Sequence, residues 1–179
     1  MRMLGAARVL LVFATLTAPG CLSSFPLDPS PEKPVDPRIL GLWRCLPSDA
    51  DASEEPATLT ISQESERTYS VTFEVKGENA SRYDGFSSTI RDQLLVNLHD
   101  LDPRALTSPW DYARYTLLLP NVLQIKLVRD TLLKDVEQTP AAFREVLQKH
   151  IDEDALYGDF CVCVRARPSD AGDAPAERP

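Results

Sequence analysis

Hydrophobic and polar residues alternate one by one along much of this chain. Thr68 to Val75 reads TYSVTFEV, which puts Tyr69, Val71, Phe73 and Val75 on one face and Thr, Ser and Glu on the other. A period of two marks a strand with one buried face. Ala57 to Ser62 (ATLTIS) repeats the pattern, and in Val122 to Val128 the residues Leu123, Ile125 and Leu127 oppose Gln124 and Lys126. Ile39–Leu46, Tyr83–Ile90, Gln93–Leu98, Tyr112–Leu119 and Phe160–Arg167 complete a set of eight short strands. Arg91-Asp92 and Pro120-Asn121 are two-residue links of the kind that close hairpins.

One segment changes period. Thr139 is a good N-cap, Pro140 fits the first helical position, and Ala142, Phe143, Val146, Leu147, His150 and Ile151 recur at helical spacing. A helix with one apolar stripe is expected to lie across the sheet or plug one end of a barrel. Tight links without strand–helix alternation argue for an antiparallel meander over a parallel α/β fold. Closing the meander removes its exposed edges. The expected fold is therefore mainly β, an antiparallel up-and-down eight-stranded barrel with one α-helix before the last strand.

Outside this body, expected at residues 38–167, the composition shifts. Residues 22–37 carry Pro26, Pro29, Pro31, Pro34 and Pro37. Such spacing favours an extended polyproline tether, a semi-rigid spacer of roughly 45 Å. Residues 168–179 (PSDAGDAPAERP) contain no large apolar residue and are expected to form a disordered tail.

Residues 1–21 read as an export signal: Arg2 and Arg8 give a basic start, Val9 to Leu16 (VLLVFATL) an apolar stretch, and small residues precede Cys21. The stretch is too short to span a bilayer, which takes roughly 20 residues. Ala18-Pro19-Gly20-Cys21 resembles a lipobox, the site at which bacterial lipoproteins are acylated on cysteine and cut; Ala18 and Pro19 depart from its usual residues. The resemblance implies lipidation at Cys21 and membrane attachment through the lipid. Leu22 after the cysteine implies an outer-membrane lipoprotein, facing the periplasm or the cell surface.

Removal of Arg2 and Arg8 moves the formal net charge from −8 to −10. An acidic chain without basic clusters argues against nucleic acid as a partner. In an oxidising compartment the remaining cysteines, Cys45, Cys161 and Cys163, are expected to form a disulfide between Cys45 and either Cys161 or Cys163. Closure would make the first and last strands, which carry them, neighbours. In the chain-entropy model a loop of this length contributes about 4–5 kcal/mol. Structural zinc wants four ligands, and His99 and His150 are both distant in sequence, so no metal is expected.

Gly41-Leu42-Trp43 opens the first strand and resembles the lipocalin G-x-W signature. Asp111-Tyr112-Ala113-Arg114-Tyr115 resembles the second lipocalin motif, T-D-Y-x-x-Y, with Trp110 in place of Thr. Arg165 stands where the third motif's arginine would pack over the signature tryptophan. The body is thus identified as lipocalin-like, of the broader calycin type. Two features depart from the family: these two motifs are closely spaced, and the helix precedes the last strand. The resemblance implies a cup for a small hydrophobic or amphipathic ligand, with Tyr69, Val71, Phe73, Phe86 and Ile125 as candidate lining; the alternative is a barrel filled by side chains that serves a structural or protein-interaction role. The packing role expected for Trp43 is at the closed end.

Two polar clusters are better explained without chemistry. Asp49, Asp51, Glu54 and Glu55 lack the glycine and spacing of a calcium loop. His150 near Asp152, Glu153 and Asp154 fits a helix end followed by a polar turn. No G-x-S-x-G, H-E-x-x-H or glycine-rich phosphate loop is present, so neither enzymatic activity nor a cofactor is expected.

Overall fold

A computed structural model describes residues 23–48, 55–102 and 110–167. The segment expected to be an export signal, with Cys21, the acidic residues Asp49, Asp51 and Glu54, and the segment expected to be a C-terminal tail lie outside the described residues.

Eight strands close into one antiparallel barrel: β1 (Gly41–Pro47), β2 (Ala57–Gln63), β3 (Tyr69–Glu74), β4 (Ser81–Ile90), β5 (Gln93–Asp100), β6 (Trp110–Leu119), β7 (Val122–Val128) and β8 (Tyr157–Arg165). Each strand pairs with its neighbours in sequence, and β8 returns to β1. The two-residue links at 91–92 and 120–121 are the tight turns of β4–β5 and β6–β7, with Arg91 at a φ of 55°. Strand β8 starts earlier than Phe160 because its ladder to β7 continues through an irregularity to Val128↔Tyr157.

Alternation along the strands builds two cores. The inward set includes Trp43, Cys45, Leu59, Ile61, Tyr69, Val96, Leu123, Cys161 and Cys163. The outward set of Ile90, Leu95, Tyr112, Val128 and Tyr157 is covered by the helix α1 (Pro140–His150) through Phe143 and Leu147. Of its two expected positions, α1 takes the one across the sheet, on the outer wall. Thr139 caps it, its hydroxyl accepting from the Ala142 amide at 3.2 Å. Arg144 then reaches from the helix to Asp28 (2.5 Å) and to the Thr89 carbonyl (2.9 Å).

The proline-rich stretch, expected to be a semi-rigid spacer, is docked along the barrel. From residue 23 onward it is a strap bound to the barrel. Ser23 and Trp110 exchange backbone hydrogen bonds of 3.0 and 2.6 Å, Phe25 packs edge-on to Phe143 at 5.0 Å, and Leu27 is fully buried. The prolines keep the backbone extended, but Phe25, Leu27, Val35 and Ile39 supply apolar anchors that the proline pattern hides. Asn97 fixes the strap: its Oδ1 accepts from the Leu27 amide (2.8 Å), while its Nδ2 donates to the Phe86 carbonyl (3.0 Å) and to Ser88 Oγ (2.8 Å). A fully buried amide with each polar atom partnered holds this crossing without the cost of an orphaned group.

Candidate functional site

The strap ends by closing one mouth of the barrel. Val35 and Ile39 are buried against the inner core, and the Val35 amide donates to the Glu66 carbonyl in the β2–β3 turn. Asp36 sits between them; its carboxylate accepts from Tyr115 Oη at 3.0 Å, and its amide donates to Tyr69 Oη at 2.8 Å. Arg38 grips the same carboxylate, at 2.7 Å from Nη2 to Oδ2. The bonds to the carboxylate, led by that from Arg38, hold the Asp36 pKa below the usual carboxylate range. Burial, followed by the nearby Asp36 charge, pushes the Tyr115 phenol up.

Trp43, Arg165 and Gly41 form the adjoining corner. Trp43 is fully buried and donates from Nε1 to the Ile39 carbonyl at 2.9 Å. The Arg165 guanidinium carbon lies 4.2 Å from the Trp43 ring centroid, while its nitrogens donate to the carbonyls of Leu40 (2.6 Å) and Arg38. Trp43 and Arg165 are register partners on β1 and β8. Gly41 has a φ of 122°, and a Cβ there would stand 2.9 Å from Arg165 Nη1. The motif's glycine therefore meets two demands, an uncommon backbone conformation and close approach of the arginine.

Asp111, Tyr112 and Tyr115 separate by parity. Tyr115 points inward to Asp36, whereas Tyr112 is fully buried on the outer wall and donates to the Phe25 carbonyl at 2.8 Å. Asp111 is mostly buried near Asp100, and its Oδ1 has no hydrogen-bond partner. Burial, and secondarily Asp100, pushes its pKa up to about 6. Tyr83 is raised by the same burial.

The barrel interior holds a small apolar void of about 60 Å³, bordered by Ile39, Leu59, Tyr69, Val71, Tyr115 and Ile125 among others. Of the five candidates for lining a ligand cup, Tyr69, Val71 and Ile125 border this void, and Phe73 and Phe86 do not. Phe73 packs on Phe160 at 5.3 Å between ring centroids. Phe86 lies on the outer face, 6.0 Å from Trp110, because the one-residue step from Gly85 reverses its side.

Cys45 and Cys163 face each other across β1 and β8 and form the disulfide. Register decides between the two candidates, since Cys161 lies opposite Pro47. Cys161 stays a free, buried thiol with a pKa pushed up to about 12 by burial. Its Sγ is 3.5 Å from that of Cys163.

The polar clusters set aside above have structural partners. Glu55 pairs with Lys76 at 2.7 Å on the surface. His150 Nδ1 lies 2.9 Å from Glu153 Oε1, without hydrogen-bonding alignment, at the end of α1. Sequence reasoning missed Asn97, Asp36 and Arg144. Asn97 alone offered a signal, as a polar residue at an apolar-phase position of a strand.

No family model, no curated protein and no solved structure matches this chain.

Proposed function

We propose that this chain is a lipocalin-like, lipid-anchored protein of the bacterial cell envelope, with a filled barrel that acts through its outer surface in a structural or protein-interaction role and performs no catalysis. The observation that carries this reading is the size of the interior void. Pockets for drug-sized ligands enclose roughly 300–1,000 Å³, several times the 60 Å³ left between these side chains. A barrel of eight strands has room for one small ligand or for packed side chains; Trp43, Tyr69, Leu123 and the three cysteines occupy that room here.

The lipid would hold the barrel close to the bilayer. Cys21 is two residues from Ser23, whose backbone is paired to Trp110 on the barrel wall. Little free chain is left between anchor and body, so the outer-membrane attachment implied by Leu22 would bring the Trp110 side near the membrane. Leu46, Val162 and Val164 remain exposed on β1 and β8, outside the cluster that the helix covers, and give this reading a contact surface.

A second reading, a cup for a small apolar or amphipathic ligand, rests on the apolar lining of the void, since such cavities stay dry and accept apolar guests. One preparation separates the two. The mature protein is purified from cell membranes, extracted with organic solvent and examined by mass spectrometry. Absence of a stoichiometric small molecule is expected; recovery of one lipid per chain would overturn the filled-barrel reading. In the same cells Cys21→Ala is expected to release the protein from the membrane fraction, and unchanged fractionation would refute the anchor.

A further inference from the structure

Three sulfur atoms meet inside the barrel wall. The Sγ atoms of Cys45, Cys161 and Cys163 all lie within 4.8 Å of one another, and all three residues are buried. The pairing of β1 with β8 explains how: Cys45 stands opposite Cys163, and Cys161, two residues away on the same strand, shares its inward face. A single disulfide uses two of these sulfurs and leaves the third in contact with it.

We propose that, when the Cys45–Cys163 bond is reduced, the three thiols form one binding site for a trivalent thiophilic hydroxide of the arsenite or antimonite class. Ligand number and charge select this class. Among the described residues no histidine or carboxylate joins the cluster, so tetrahedral zinc lacks its fourth ligand. Monovalent copper accepts sulfur ligands readily, but three thiolates around it bury two net negative charges, and unpaired charge in an apolar interior is strongly disfavoured. A trivalent centre leaves none. As(OH)₃ condenses with three thiols to form three As–S bonds, and each hydroxide leaves as water with one thiol proton. Reactants and product are all neutral. The preceding reduction balances with a phosphine: the S–S bond breaks, two thiols form, and the phosphine takes oxygen from one water to become its oxide. Leu123 and Ile125, the register partners of Cys163 and Cys161 on β7, border the interior void, so the site adjoins the part of the core with space to give.

The test uses the full chain carrying Cys21→Ala, so that the only thiols are the three in question. The protein is reduced anaerobically with a phosphine, exposed to sodium arsenite, and followed by native mass spectrometry, by maleimide counting of free thiols and by near-ultraviolet circular dichroism. One arsenic per chain is expected, with all three thiols protected and the aromatic signal retained. Adding Cys161→Ala, which leaves the disulfide pair intact, is expected to weaken uptake by about tenfold or more. Binding unaffected by Cys161→Ala, protection of only two thiols, loss of the aromatic signal on reduction, or uptake of monovalent copper without arsenite would each overturn the proposal.

Discussion

The Arg165 guanidinium lies over the Trp43 ring, at 4.2 Å from its carbon to the ring centroid, and the same group donates to the carbonyls of Leu40 and Arg38. One side chain thereby joins the last strand, the first strand and the end of the strap. Stacking on an indole contributes about 0.5–2 kcal/mol depending on desolvation, and each charge-assisted bond to a carbonyl adds about 1.5–3. Arg165→Lys keeps the charge and loses the planar fork. It is expected to lower the urea midpoint nearly as much as Arg165→Ala; a lysine variant of wild-type stability would show that charge alone matters.

Gly41→Ala is expected to destabilise the barrel by about 1–3 kcal/mol. The φ of 122° is strained for any residue with a Cβ, and the added atom would meet Arg165 Nη1 at 2.9 Å. Combining Gly41→Ala with Arg165→Ala removes the collision and leaves only the backbone strain. The double variant should therefore lose less than the sum of the singles in equilibrium unfolding, whereas strict additivity would separate the glycine from the arginine.

The Cys45–Cys163 bond spans a sequence separation of 118. A closed loop of that order limits the unfolded chain by about 4–5 kcal/mol in the entropy model. Cys45→Ala is expected to lower stability by that order, with the urea dependence showing a more expanded unfolded state. Cys161→Ala removes a buried sulfur and leaves the bond in place. Its loss should be near 1 kcal/mol, the scale of a small core truncation. Equal effects from the two variants would mean that the bridge adds nothing beyond packing.

Strap and barrel are expected to unfold as one cooperative unit, with Leu27 and Asn97 as the coupling pair. Leu27→Ala is expected to cost about 2–5 kcal/mol for a fully buried leucine. Asn97→Ala orphans the Leu27 amide and should cost about 1–3 kcal/mol. Hydrogen exchange should show the Leu27 amide as protected as the strand amides in wild type and sharply less protected in Asn97→Ala. Fast exchange at Leu27 in the wild-type protein would restore the picture of a semi-rigid spacer undocked from the barrel.

The strands and helix were legible in the sequence because each depends on local periodicity; the meander followed from the short links, and its closure from the exposed edges it would otherwise leave. The G-x-W and Arg165 pairing was legible because residue type and spacing survive in a motif. Strap docking was not: prolines stand out in the composition of residues 23–37, while its contacts lie far along the chain, the Leu27 amide meeting Asn97 70 positions away and Phe25 meeting Phe143. Phe86 was misplaced for a related reason. Within β4 the run Gly85-Phe86-Ser87-Ser88 shows no apolar alternation, and a shift of one residue exchanges the inner and outer faces. Asp36 gave no local sign that it would meet Tyr115, 79 positions away.

Asp111 makes stability depend on pH in an unusual direction. Burial raises its folded pKa from 3.8 to about 6, so between these values the native state holds more protons than the unfolded chain. Stability from this group is complete below about pH 4 and declines as pH rises through 6. The full difference is on the order of 3 kcal/mol, at 1.36 kcal/mol per unit. Asp36 acts oppositely and in a more acidic window: its lowered pKa gives stability above about pH 4 that is lost as the carboxylate protonates. Asp111→Asn keeps the shape and removes the buried charge. It is expected to raise stability at pH 7–8 and to flatten the decline between pH 4 and 6, with behaviour below pH 4 unchanged. Urea unfolding of both proteins across pH 3.5–8 reads this directly. Parallel curves through the pH 4–6 window would mean that the Asp111 carboxylate is solvated in the native barrel and titrates like one in the unfolded chain.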